Sequence, residues 1–178
     1  MNNRAKKIKY IVVHCQAGHG TLQSMQAFWK NSLKWNSPGY NTWIDYDGTP
    51  HRLADYNAIT NGVAGFNNEA LHISYRGGVE HDNVNKAKDT RTQAQKDALI
   101  KEILLMINWL FENGNDLQDV MIIGHYHFSN DKNKNGAIEE WERIKLCPSF
   151  DAYKEYTHLM DCNNKNYHLL KLPKNRAA

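Results

Sequence analysis

The chain has 178 residues, 41% of them hydrophobic, and its 22 Lys and Arg against 19 Asp and Glu leave a formal net charge of +3. That length fits one domain with a sizeable core, and no apolar run approaches the roughly 18 residues of a membrane-spanning helix. Three cysteines, an odd number, argue against a disulfide framework, and the mild basic excess suits a polyanionic partner without demanding one.

In chain order, Arg4, Lys6, Lys7 and Lys9 form a short basic cluster without interleaved aromatics, which predicts a solvated leader over residues 1–8 rather than a nucleic-acid arm. Lys9 to Cys15 reads as the first strand, and Leu22 to Leu33 as a helix with Leu22, Met25, Phe28, Trp29 and Leu33 at helical spacing. Thr42 to Tyr46 and Thr49 to Leu53 flank Asp47-Gly48, a two-residue hairpin signal. Leu71 to Tyr75 predicts a strand ending at Gly77-Gly78, where backbone can approach a ligand. Thr92 and Gln95 form a capping-box pattern. The stripe Leu99, Ile103, Met106, Ile107 and Leu110 follows it, and Gly114 is the stop. Met121 to Gly124 reads as a strand, and Ser149 to about Met160 as a last helix started by Pro148. Strands alternating with helices predict one α/β domain around a mixed sheet flanked by helices, with a core over about 8–160 and a polar tail over 163–178. Cys15 is expected in that core, opposite His14 on its strand, and Cys162 in the tail as a free thiol.

Two apolar runs end in histidine: Ile11-Val12-Val13-His14 and Val120-Met121-Ile122-Ile123-Gly124-His125, with Cys147 downstream. A buried strand stopping at an imidazole delivers it to a sheet edge. Imidazole nitrogen and thiolate sulfur together suit zinc, and three protein ligands leave a fourth tetrahedral position open for water. Taken singly, the same residues also read as two core histidines and a buried thiol. His127 is an alternative ligand if the chain stays extended beyond His125. His19, His51, His72, His81, His158 and His168 carry no predicted function.

A set of ordered blocks adds to this: Ile11-Val12-Val13-His14-Cys15, Gly39-Tyr40-Asn41, Asp47-Gly48-Thr49, Ile73-Ser74-Tyr75-Arg76-Gly77-Gly78-Val79, Thr92-Gln93-Ala94-Gln95, Gly124-His125 and Lys145-Leu146-Cys147-Pro148-Ser149-Phe150-Asp151. Spread over residues 8 to 153, they resemble the zinc-dependent N-acetylmuramoyl-L-alanine amidases of the phage lysozyme type, relatives of the peptidoglycan recognition proteins. The resemblance implies that fold, zinc held by His14, His125 and Cys147, and two catalytic helpers, Tyr40 and Lys145. It implies hydrolysis of the amide between N-acetylmuramic acid and L-alanine of the stem peptide. In that chemistry zinc activates water and polarises the carbonyl, Lys145 stabilises the oxyanion and Tyr40 orients water or shuttles a proton. Two positions depart from the family pattern. Asn41 stands where many members have histidine, and Gly62 lies near where another is often found; the departures are expected to affect substrate contacts, with loss of an orienting group as the alternative.

The implied partner is peptidoglycan, with no membrane and no nucleic acid, and the expected state is a monomer. Residues 1–10 hold no apolar stretch of signal-peptide length, which predicts cytoplasmic synthesis and action on the cell wall after release. Phage or prophage lysis, wall remodelling and recycling all fit. Two rival classes stay open: a non-catalytic peptidoglycan-binding protein, and a regulator that binds a host protein.

The stretch Asp131-Lys132-Asn133-Lys134-Asn135-Gly136-Ala137-Ile138-Glu139-Glu140-Trp141-Glu142 matches the spacing of an EF-hand calcium loop. Asp131, Asn133, Asn135, the Ala137 carbonyl, Glu139 and a bidentate Glu142 would supply oxygens to a structural calcium ion, with Gly136 at the sharp turn. The flanking helix pair is missing from the sequence pattern, and an exposed Asn/Asp/Gly-rich loop is the plainer alternative.

Overall fold

A computed structural model describes residues 4–143 and 145–160. The expected tail, with Cys162 and His168, lies outside them. Five strands form one mixed sheet in the order β3-β2-β4-β1-β5. They are β1 (Tyr10–Cys15), β2 (Thr42–Ile44), β3 (Pro50–Arg52), β4 (Ala70–Tyr75) and β5 (Met121–Gly124). β1 runs parallel to β4 on one side and to β5 on the other, and β2 runs parallel to β4; only the β2–β3 pair is antiparallel.

Central β1 is buried almost end to end because its near-continuous β-branched run must fill both faces of a parallel sheet. Odd-numbered Ile11, Val13 and Cys15 join Leu71, Ile73 and Tyr75 of β4 in the larger core. Against them packs α2 (Gln93–Glu112), whose Leu99, Ile103, Met106 and Leu110 are fully buried. Its predicted capping box is present, with Thr92 and Gln95 exchanging side-chain and backbone hydrogen bonds at 3.1 Å. On the opposite face, Val12, Ala70 and Ile123 pack on Val63, Phe66 and Phe128. There the short α1 (Leu22–Asn31) rests on Trp43 through buried Met25 and Trp29 and half-buried Leu22. This thinner cover leaves the face carrying His14 open at its end.

Several elements differ from expectation for local reasons. Helix α1 stops at Asn31, and two members of its predicted stripe, Phe28 and Leu33, are exposed. The hairpin strands are shorter than predicted, because Asp45 N–H donates to the Thr49 carbonyl and Gly48 N–H to the Asp45 carbonyl, closing a longer loop. Pro148 precedes the last helix instead of starting it. That helix, α3 (Ala152–Tyr156), is capped by the Asp151 carboxylate, which accepts the Lys154 N–H at 3.0 Å. Gly77 pairs with Gly18 and Gly78 lies against Cys15, so this glycine pair meets backbone and core instead of a ligand. The basic leader is only partly solvated. Lys6, Lys7 and Lys9 are exposed, whereas Arg4 is buried and donates to the carbonyls of Tyr56, Asn67 and Ala70.

Helix α3 is tied to the start of α2 through Arg91, whose side chain is 1% exposed. It bridges Asp89 at 2.8 Å and Glu155 at 2.7 Å, donates to the Tyr156 hydroxyl at 2.9 Å and lies over the Phe150 ring. Removing it strands two partly exposed carboxylates and opens the packing beneath Phe150. Arg91→Met should therefore cost about 2 kcal/mol, a fall of roughly 4–8 °C in Tm. Thermal unfolding measures this directly, and an unchanged Tm contradicts the strut.

Candidate metal centre

Parallel strands β1 and β5 end side by side, with Val13 paired to Gly124, so His14 and His125 emerge at the same sheet edge. This is where open α/β sheets place ligands, beyond the carboxyl ends of their strands. Cys147 arrives from the segment before α3, anchored by the Tyr126 N–H donating to its carbonyl at 2.8 Å. Gly124 makes that approach possible. A Cβ there would sit 2.6 Å from Pro148 Cδ, so any other residue would push the cysteine segment away.

The ligand atoms of His14, His125 and Cys147 lie within 4.8 Å of one another, and no other His, Cys, Asp or Glu group of this kind occurs among the described residues. Cys147 Sγ is 3.7 Å from His14 Nδ1. Zinc bonds of about 2.1 Å to nitrogen and 2.3 Å to sulfur at a tetrahedral angle place those atoms roughly 3.6 Å apart. Donor set and spacing both fit the ion. The backbone N–H of Cys15 donates to Cys147 Sγ at 3.3 Å, a bond that favours a thiolate.

Electrostatics separate the two kinds of ligand. Burial, then the neighbouring His125, His72 and Lys145, holds His14 well below the ordinary imidazole range, and burial with Lys145 takes His125 down to about 4. Both rings are neutral at physiological pH, the form that binds metal. Burial pushes the Cys147 thiol well up, so without metal it keeps its proton.

Tyr40 and Lys145 complete the expected set. Both line one cavity of about 130 Å³ together with His14, His125 and Cys147. The Tyr40 ring lies 5.0 Å from that of His14 and edge-on to Trp29. Burial raises its phenol pKa far above neutral, so the hydroxyl keeps its proton. Lys145 is exposed at the rim. A second cavity of about 460 Å³ adjoins, sharing Trp35, Asn61, Gly62, His125 and Lys145.

His127 is not part of this group. The chain turns into a 3-10 helix over His125–Phe128, which breaks the extended geometry that would have put both histidines on one face. Its Nδ1 accepts the Gly124 N–H at 3.1 Å, and its ring stacks on Tyr126. Asn41, expected to affect substrate contacts, is instead fully buried. It accepts the His72 N–H at 2.9 Å and donates to the Asp55 carbonyl at 3.0 Å. Sequence analysis missed His72, which lies in β4 with Nδ1 only 3.1 Å from His14 Nε2. No local signal marks it, because its role comes from β4 lying beside β1 in the sheet.

The calcium expectation finds no support in the 131–142 loop. Glu142 turns inward and accepts the N–H groups of Lys132 at 2.6 Å, Asn133 at 3.2 Å and Glu139 at 3.0 Å. The Asp131 carboxylate accepts from Asn135 and Gly136, and Glu139 takes the Trp141 indole N–H. Asn133 and Asn135 cap the N–H groups of Asn135 and Ala137. The loop is closed by its own amides.

Comparisons with known proteins agree with this geometry. The chain matches none of the curated proteins with which it was compared. Among solved structures it is similar to Drosophila peptidoglycan recognition protein SA, with a TM-score of 0.64 and 18% identity over 97% of this chain and 86% of that one. It is also similar to the N-acetylmuramoyl-L-alanine amidase LysC from Clostridium intestinale, with a TM-score of 0.57 and 19% identity over 88% and 87% of the two chains. A human recognition protein solved in complex with glycosamyl muramyl pentapeptide gives a TM-score of 0.60 and 17% identity over 85% and 82%. At these identities the likeness establishes the fold. Residues 4–149 match the family described as N-acetylmuramoyl-L-alanine amidase (Amidase_2), and the chain belongs to that family.

Proposed function

We propose that the protein is a zinc-dependent amidase that hydrolyses the bond between N-acetylmuramic acid and L-alanine in peptidoglycan. The observation that carries this reading is the convergence of His14, His125, Cys147, Tyr40 and Lys145 on one cavity. A buried thiol placed against two neutral imidazoles is a donor set suited to zinc with a fourth position open. Zinc, when bound, supplies Lewis acidity and a water activated at neutral pH.

The chain's own residues divide the remaining work. Neutral His14 and His125 would hold zinc through their lone pairs, and Cys147 would do so as a thiolate favoured by the Cys15 N–H. Tyr40, held protonated by burial, donates a hydrogen bond and orients water or the scissile carbonyl. Lys145 is a cation at the rim of both cavities, placed to stabilise negative charge developing on that carbonyl oxygen. The adjoining cavity of about 460 Å³, walled by Trp35, Phe66 and Phe128, is the site proposed for the muramyl peptide. A human relative was solved with such a ligand.

Because burial keeps the Cys147 proton in place, zinc uptake at pH 7 should release about one proton. Calorimetric titration in buffers of differing ionisation enthalpy counts it, and zinc uptake with no proton release contradicts a protonated thiol. Cys147→Ser should lose both zinc and hydrolysis. Lys145→Ala should keep zinc and lose at least about 100-fold in turnover of purified peptidoglycan; equal turnover removes Lys145 from the mechanism.

A further inference from the structure

His72 is fully buried in β4, beside the strand that carries His14, and both of its ring nitrogens are engaged. Nδ1 lies 3.1 Å from His14 Nε2, and Nε2 lies 3.2 Å from Asn67 Oδ1. The Asn67 atom is identified independently, since it also accepts the Val63 backbone N–H at 2.7 Å and a backbone N–H can only donate. An oxygen must therefore receive the Nε2–H of His72. A neutral ring protonated at Nε2 has a bare Nδ1, which accepts the Nε2–H of His14. His14 is left with its lone pair on Nδ1, the atom facing Cys147 Sγ.

The opposite tautomer of His72 would set the Nε2 lone pair against the Asn67 oxygen. Packing holds the ring where the chain of hydrogen bonds needs it. A Cβ at Gly62 would stand 2.3 Å from His72 Nδ1, so only glycine leaves the ring its place. Asn41 pins the backbone on both sides, donating its N–H to the His72 carbonyl and accepting the His72 N–H, each at 2.9 Å.

We propose that Asn67 and His72 are positioning residues of the metal centre, which fix His14 in the tautomer that presents Nδ1 to zinc. The proposal rests on the reading of His14, His125 and Cys147 as zinc ligands. Outer hydrogen-bond partners of this kind typically change metal affinity by about 10- to 100-fold. The chain begins at Val63 and Asn67, which line the larger cavity, so it runs from that cavity's wall to the metal edge.

Long-range proton–nitrogen NMR of the metal-free, histidine-labelled protein reads the tautomers without a variant and without zinc. Protonated Nε2 on both His14 and His72 is expected, and a proton on His14 Nδ1 overturns the proposal. Chelator competition then measures zinc affinity. His72→Phe, which keeps a ring but no acceptor, and Asn67→Leu should each weaken zinc by about 10- to 100-fold. Asn67→Asp, still an acceptor for both N–H groups, should stay within about threefold of wild type. A folded His72→Phe protein with wild-type zinc affinity reduces His72 to core packing and sinks the idea. Wild-type protein that takes no zinc defeats the metal reading itself, a failure distinguishable from the first because the tautomers are read without metal.

Discussion

Central strand β1 is hydrogen-bonded on both edges by parallel neighbours, and the site depends on that double pairing. Because parallel strands point the same way, the ends of β1 and β5 arrive together, and two histidines distant in sequence become neighbours. The same constraint sets β4 beside β1 in a register that brings His72 within a hydrogen bond of His14. A one-residue slip of β1 would turn His14 into the α2 core and bring Val13 or Cys15 to the metal face. Complete burial of Ile11, Val12 and Val13 makes such a slip costly.

The sheet's two faces are unequally covered, and the candidate site sits on the thinner side. Helix α2 seals one face with four fully buried apolar residues. The other is roofed by α1, by the aromatics Trp29, Trp35 and Tyr40, and by loop residues 61–67, with cavities between them. Cys147 reaches this opening only because Gly124 lets Pro148 pack closely on β5. The Arg91 network then holds the chain after Cys147 against the start of α2.

What the sequence made legible follows from range. The β-branched runs ending at His14 and His125, and the Thr92–Gln95 cap of α2, are local patterns, and both formed as expected. The family pattern placed Tyr40 and Lys145, which no local rule could have singled out, around the same cavity. His72 was not legible because its role comes from strand order: nothing local says that β4 lies next to β1. Asn41 and Gly62, the two departures from the family pattern, both meet His72, one through its backbone and one against its ring. In the 131–142 loop the legible pattern of oxygen-bearing residues is also local, and in the fold those oxygens accept the loop's own N–H groups.

The bond between muramic acid and L-alanine is the target proposed here, and its cleavage is directly observable. The measurement is mass spectrometry of the soluble products released from purified peptidoglycan, with the protein metal-loaded, chelated and reloaded with zinc. Free stem peptides beginning with L-alanine, lost on chelation and restored by zinc, are the predicted result. Binding to walls of several stem-peptide types without release of any such peptide would contradict the account and leave the five-residue cavity as a recognition site.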